Sequence, residues 1–155
     1  MKTRYPRIIN RGFTIVELLV VIVVIGVLAS ITVVAYTGIS ERAKVASANS
    51  SLELLFKAIQ IGRVNVNKRL IDITGYGCTN CGDQARYELS LDNLSAASGL
   101  NLAGLKKGDP WGNKYAIDEN EGEGGSCASK DTMGLNTSGK SGIISPTIDF
   151  YSCPN

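Results

Sequence analysis

The chain has 155 residues, no histidine and a formal net charge of +2. Because histidine is absent, Ser-His-Asp and Cys-His catalysis are excluded and the commonest metal ligand is missing. Residues 1–12 hold four of the 16 basic residues and no acid, so the remaining chain carries 12 basic and 14 acidic residues and offers no basic face for nucleic acid.

A long apolar run follows this basic start. From Phe13 to Tyr36 the only charged residue is Glu17. Twenty-four residues of helix span about 36 Å, which exceeds the roughly 30 Å of a bilayer core. The run therefore predicts one membrane-spanning helix with its basic end in the cytoplasm. Glu17 is the anomaly, since a charged residue at the centre of such a helix costs about 2.5–3.5 kcal/mol.

The helix is predicted to continue beyond the membrane run as an amphipathic segment. Apolar residues recur there every three or four positions, which indicates one buried stripe on a polar helix. The stripe consists of Val45, Ala48, Leu52, Leu55 and Ile59. We expect this helix to end at Gly62.

The rest of the chain is rich in glycine and turn pairs, which predicts a small α+β head. A short helix is expected over residues 93–98, capped by Asp92 and ended by Gly99. Strands are expected over residues 114–118 and 147–153, and residues 121–142 are expected to form a loop. The predicted fold is a long N-terminal α-helix whose amphipathic half packs on a small antiparallel sheet.

Four cysteines lie beyond the apolar run, at Cys78, Cys81, Cys127 and Cys153. An even count on the exported side of a membrane predicts disulfides. Their spacing matches no zinc ribbon, and the Gly-rich loop around Cys78 is not the strand–helix setting of a thioredoxin-type pair. Spacing alone leaves all three connectivities open.

The N-terminus permits two interpretations. In the first, residues 1–29 are a secretory signal peptide cleaved after Ala29, and the product is a membrane-anchored or secreted binding or redox module. Two features oppose it: Glu17 interrupts the apolar region, and cleavage would divide the predicted helix. In the second interpretation the apolar segment stays in the product.

The stretch RGFTIVELLVVIVVIGVLASITVVAYTGISERAKVASA closely resembles the N-terminus of type IV pilins and type II secretion pseudopilins. The resemblance implies a leader, residues 1–12, cut by a prepilin peptidase between Gly12 and Phe13, with Phe13 then N-methylated. It makes Glu17 the glutamate required for assembly. The cut would create a cationic α-amino group, which Glu17 of a neighbouring subunit could pair with inside an apolar bundle.

The same resemblance implies the domain bounds of the chain and its partners. Residues 13–36 would be the membrane and assembly half of the helix, residues 37–62 its amphipathic half, and residues 63–155 the head. The protein would be a non-enzymatic subunit of a homo-oligomeric helical filament with other pilins, driven by a membrane platform protein and an assembly ATPase. The precursor would cross the inner membrane once, and the filament would lie in the periplasm or at the cell surface. Nucleic acid is not an expected partner from charge, although DNA-uptake machines use this family.

Further details are implied by resemblance. GDPWGNKY (108–115) resembles the DPWGNPY segment of major pseudopilins, in which an acidic loop that follows binds calcium. The corresponding oxygen ligands here are Asp118, Asn120 and Asp131, with Glu119, Glu121 and Glu123 nearby. Because the loop lacks the EF-hand pattern, we expect a solvated acidic loop without a cofactor, and calcium is the alternative.

Two further expectations concern the head and the membrane helix. As in many pilins, Cys127 with Cys153 would close the C-terminal loop, leaving Cys78 with Cys81. Many pilins carry a proline where this chain has Val34. Whether the helix melts between Gly26 and Val34 therefore stays open at this point.

Overall fold

The structure is a computed structural model that describes residues 12–122, 127–136 and 142–152. Its contacts define two units, one ending at Glu41 and the other beginning at Arg42. Helix α1, Ile15–Val66, begins in the first unit and ends in the second.

The first unit contains the apolar part of α1. Every residue from Phe13 to Thr32 is exposed, and Ile15–Thr32 is long and apolar enough to cross a membrane. The hydroxyl of Ser30 donates to the carbonyls of Gly26 at 3.0 Å and Val27 at 2.8 Å, so this polar group is satisfied within the helix. The helix runs without interruption past Gly26 and Val34 in the single chain.

The amphipathic part of α1 supplies one side of the core of the second unit. Ala48, Leu52, Leu55 and Ile59 of the predicted stripe are fully buried, and Val45 is half-buried. The other elements complete the core with Leu70, Ile73, Tyr87, Leu91, Leu94, Leu102, Leu105, Tyr115, Ile117, Met133 and Ile148.

The predicted end of this helix at Gly62 is wrong. Helix α1 continues to Val66, and Asn67 follows in the left-handed conformation with φ of 52°. Gly62 is buried instead, and a Cβ placed there would lie 3.4 Å from the side chains of Ala97 and Leu94. The glycine thus permits close approach between two helices rather than ending one.

Two further helices follow α1. Helix α2, Leu70–Thr74, ends at Gly75. Helix α3, Gln84–Ser98, is nine residues longer at its start than the predicted helix over 93–98. Its N-cap is Asp83, whose carboxylate accepts the backbone N–H of Arg86 at 2.9 Å.

The predicted cap at Asp92 is therefore wrong. Asp92 lies within α3 and pairs with Lys106 at 2.6 Å. The predicted end of the helix at Gly99 is confirmed, because Gly99 adopts φ of 74° and donates its N–H to Ser95 O.

The sheet of the described residues has two antiparallel strands, β1, Tyr115–Asp118, and β2, Thr132–Leu135. A 3-10 helix, Ala103–Lys107, precedes β1. In the register, Tyr115 lies opposite Leu135 and Asp118 opposite Thr132. This arrangement of a long helix and a small antiparallel sheet confirms the predicted α+β fold class.

Two predictions about strands fail. Residues 121–142 were expected to be loop, yet they contain β2. Residues 147–152 form no strand, and Cys153 lies outside the described residues. The backbone N–H groups of Tyr151 and Ser152 donate to the carboxylate of Glu121, so a side chain takes the place of a neighbouring strand.

Candidate functional site

The start of α1 is closed by a reciprocal pair, Thr14 and Glu17. The backbone N–H of Thr14 donates to Glu17 Oε2 at 2.8 Å, and the Thr14 hydroxyl donates to the same oxygen at 2.9 Å. In return, the backbone N–H of Glu17 donates to Thr14 Oγ1 at 3.2 Å. This is a capping box, which satisfies backbone donors that the first helical turn leaves without partners.

The capping box occupies only part of the Glu17 carboxylate. All the hydrogen bonds that it receives from described residues go to Oε2. A carboxylate has about four acceptor positions on two oxygens. Glu17, which is exposed and is the only charged residue from Phe13 to Tyr36, can therefore accept a further donor at Oε1 while it caps its own helix.

The two predicted processing residues lie directly before this cap. The side chain of Phe13 is 82 % exposed. A Cβ placed on Gly12 would meet no atom of the described residues within 4 Å, so packing against those residues does not require glycine there. The rest of the predicted leader, residues 1–11, lies outside the described residues.

In the head, a disulfide joins Cys78 to Cys81. This bond confirms the prediction of a disulfide beyond the apolar run. Cys153 lies outside the described residues, so its predicted pairing with Cys127 stays a prediction. The disulfide loop is attached to the end of β1, because Cys78 forms a bridge with Asp118 and Asn80 Oδ1 accepts the N–H of Ile117 at 3.3 Å.

A buried carboxylate, Glu119, holds the same loop. The backbone N–H of Thr79 donates to Glu119 Oε2 at 3.0 Å, and the Thr79 hydroxyl donates to Oε1. Burial raises the pKa of Glu119 to about 7, although the hydrogen bonds from Thr79 and Thr74 oppose the rise. The loop is thus fixed by a group whose charge changes near neutral pH.

Two carboxylates of the acidic segment after β1 form ion pairs with an arginine of α1. The guanidinium of Arg63, which is 2 % exposed, donates from Nη2 to the carboxylate of Glu121 and lies 3.6 Å from Asp131 Oδ2. Burial raises the pKa of Asp131, and the nearby Arg63 charge and a hydrogen bond from the Glu121 backbone partly oppose this rise. The cluster is an ion pair network buried inside the head.

This arrangement does not fit the calcium site implied by resemblance. Asp131, one proposed ligand, faces Arg63 and accepts the backbone N–H of Glu121 at 2.7 Å. Asn120 directs its amide N–H to Lys130 O at 3.2 Å. A calcium ion beside Asp131 would face the Arg63 guanidinium, and like charges at such a distance repel. Among the described residues, no three carboxylates or cysteines are arranged to hold a metal ion; Glu123 is outside them.

The GDPWGNKY segment is a closed corner that leads into β1. Asp109 Oδ1 accepts the backbone N–H groups of Trp111 and Asn113, each at 2.9 Å. Gly108 has φ of 83°, and a Cβ there would lie 2.4 Å from Asn113 O, so only glycine fits. Tyr115, the last residue of this corner, lies in the core, and burial raises the pKa of its hydroxyl.

Two of these residues were not singled out by the sequence analysis. Thr14 could have been found, because T-x-x-E before an apolar run is a capping-box pattern. Arg63 carried a weaker signal: it lies four residues after Ile59 and so continues the buried stripe with a charge. Its acidic partners were treated only as candidate calcium ligands.

An exposed apolar helix with a single carboxylate at its start, attached to a small disulfide-bonded α+β head, defines the pilin class of structural subunits. The comparisons with known proteins agree. Residues 9–33 match the family described as the prokaryotic N-terminal methylation motif.

The chain is 38 % identical over 120 residues to the type II secretion system core protein G of Escherichia coli, covering 75 % of this chain and 76 % of that protein. It is 30 % identical over 125 residues to the type IV major fimbrial protein FimA of Dichelobacter nodosus, covering 76 % and 71 %. Core protein G of Pseudomonas aeruginosa is 29 % identical over 106 residues, covering 67 % and 70 %. No solved structure gives a significant match.

The chain belongs to the family of type IV pilins and type II secretion pseudopilins. Members of this family are structural subunits and not enzymes. The methylation motif and the apolar N-terminal helix are the features of a membrane-anchored precursor.

Proposed function

We propose that this chain is the precursor of a filament subunit that polymerises through its N-terminal helix. A prepilin peptidase cuts between Gly12 and Phe13, and the new α-amino group of Phe13 is methylated. The apolar helices then pack together in the filament while the heads face outward. A membrane platform protein and a cytoplasmic assembly ATPase drive the transfer from the inner membrane into a filament in the periplasm or at the cell surface.

The observation that carries this proposal is the state of Glu17. It is the only charged residue from Phe13 to Tyr36, it is exposed, and the hydrogen bonds from Thr14 engage only one of its oxygens. An α-amino group is largely cationic at neutral pH. Inside a bundle of apolar helices, the Phe13 amine of one subunit and Glu17 of its neighbour would form a buried pair that fixes the axial step. Such a contact is heterologous and does not close on itself, as a filament requires.

Capping and pairing are separable by mutation. Glu17→Gln keeps an oxygen that can accept from Thr14 but removes the negative charge. Thr14→Ala removes the hydroxyl of the capping box but keeps the carboxylate. If pairing drives assembly, Glu17→Gln is processed and inserted in the membrane but enters filaments poorly, since loss of one partner of a buried pair costs about 3–5 kcal/mol. Thr14→Ala loses only about 1 kcal/mol of capping and should still assemble.

The measurement is the fraction of each variant recovered in sheared filaments relative to the membrane fraction. A defect in Thr14→Ala with normal incorporation of Glu17→Gln would show that Glu17 acts only as a helix cap. Normal incorporation of Glu17→Gln would rule out the charge pair.

The alternative, an exported module cleaved after Ala29, requires a cut within α1. That cut would remove Phe13 and Glu17 together and leave Ser30 as the first residue. Family membership favours the first proposal, and the first residue of the mature chain distinguishes the two.

A further inference from the structure

The carboxylates of the acidic loop already have a cation. The side chains of Arg63, Glu121 and Asp131 are each no more than 2 % exposed. The Arg63 guanidinium donates to Glu121 and faces Asp131 at 3.6 Å, as described above. Charges so far from water require a partner of opposite sign, and each of these groups has one.

This cation also joins segments that are distant in the sequence. Arg63 Nη1 donates to the carbonyl of Asp149 at 3.0 Å, and the ring of Tyr151 lies with its centroid 5.2 Å from the guanidinium carbon. Glu121 accepts the backbone N–H groups of Tyr151 and Ser152 at 2.6–2.9 Å. The end of α1, the segment after β1 and residues 149–152 therefore meet at one buried charge.

A divalent metal ion bound in a loop stabilises it in the same way as this guanidinium, because the ion neutralises several oxygens and holds their segments together. Here the guanidinium contacts two of the carboxylates that such an ion could use, those of Glu121 and Asp131. Its planar set of donors can bond a carboxylate and a carbonyl at the same time, which suits this geometry.

We infer that the Arg63 guanidinium is the structural cation of Glu121 and Asp131, and that the described segments around it, residues 118–122, 127–131 and 149–152, keep their fold without calcium. The inference does not depend on how the subunit assembles. It distinguishes this chain from pseudopilins whose corresponding loop binds calcium.

The first test compares the thermal midpoint of the full-length chain in detergent micelles with millimolar calcium and with a chelator. We expect the same midpoint in both. A calcium site of the usual extracellular affinity would raise the midpoint by several degrees at millimolar calcium, and such a rise in the wild-type chain would overturn the inference.

The second test removes the cation and uses a matched arginine as control. Arg63→Met keeps most of the aliphatic volume but leaves Glu121 and Asp131 without their cation, and we expect the midpoint to fall by roughly 10 °C or more. Arg42 lies at an exposed position of α1, so Arg42→Met should lower the midpoint by only a few degrees. Equal effects of the two variants would contradict a special role for Arg63.

A third variant keeps the inference testable if Arg63→Met does not fold. Arg63→Lys retains the charge but loses the second donor group, so we expect an intermediate midpoint that calcium still does not raise. If calcium stabilises Arg63→Lys as it would a metal site, the loop prefers a metal ion and the inference fails.

Discussion

Glu17 meets two needs at the same helix end. Its Oε2 accepts from Thr14 and so closes the first turn of α1. A negative charge near a helix N-terminus is also favourable, because the peptide dipoles leave partial positive charge there. The cost of a carboxylate in an apolar segment is therefore partly offset within the chain, and the remaining acceptor capacity is what we assign to a neighbouring subunit.

Glu119 is the second carboxylate whose surroundings decide its behaviour. It is fully buried and accepts two hydrogen bonds from Thr79, next to the Cys78–Cys81 disulfide. Burial raises the pKa of Glu119 to about 7 in the folded chain, above the 4.5 that is usual for a glutamate in water. Between these values the folded state holds a proton that the unfolded state has lost, so this contribution to stability is complete below about pH 4.5 and is lost as the pH rises through 7.

We therefore predict that the free energy of unfolding falls between pH 5 and pH 8, with a contribution from Glu119 on the order of 3 kcal/mol. Glu119→Gln should flatten this dependence and be more stable than the wild type at pH 8. Urea unfolding of the full-length chain in detergent at pH 5 and at pH 8 measures the free energy of unfolding of the wild type and the variant. Glu53→Gln, at an exposed position on α1, is the control and should leave the pH dependence unchanged. An unaltered pH dependence in Glu119→Gln would show that the carboxyl is not protonated in the fold.

Helix α3 shows how a cap sets the bounds of an element. Asp83 accepts the backbone N–H of Arg86 at the true start of α3, whereas Asp92 lies more than two turns inside the helix and pairs with Lys106. We predict that Asp83→Ala lowers the free energy of unfolding by about 1 kcal/mol, because a backbone donor loses its acceptor. Asp92→Ala should cost about 0.5 kcal/mol or less, as is usual for an exposed ion pair.

Chemical denaturation of the two variants beside the wild type distinguishes these costs. If Asp92→Ala were the more destabilising change, the helix would have to begin near residue 92 rather than at Gln84.

Local patterns predicted some elements well and others poorly. The stripe on α1 and the strand β1 follow from periodicity and turn residues, which act over a few positions. The segment 147–152 was predicted as a strand from its own residues. Its N–H groups instead bond Glu121, 30 positions away from Tyr151, and no local pattern contains that contact.

The candidate sites divide in the same way. The roles of Gly12, Phe13 and Glu17 were predicted from a contiguous motif, and they stay predictions. The role of Arg63 was not predicted, because its partner Glu121 is 58 residues distant and only the folded head brings the two side chains together. The calcium ligands implied by resemblance were chosen for their oxygen atoms, without knowledge that a cation of the chain would face them.

The two units of the molecule differ in the exposure of their apolar side chains. In the second unit, the apolar stripe of α1 is buried against α2, α3 and the sheet. In the first unit, large apolar side chains stay exposed along the helix from Phe13 to Ile31. An exposed apolar surface of this extent requires a membrane or other copies of the same segment to cover it. A subunit that passes from a membrane into a filament meets both conditions in turn.

The identity of the first residue in the assembled protein tests this account most directly. Intact-mass and N-terminal fragment analysis of the chain extracted from purified filaments should show a polypeptide that begins at Phe13 and carries a methyl group on its α-amine. A filament chain that still begins at Met1, or one that begins at Ser30, would contradict it, because in neither case would a cation form one helical turn from Glu17.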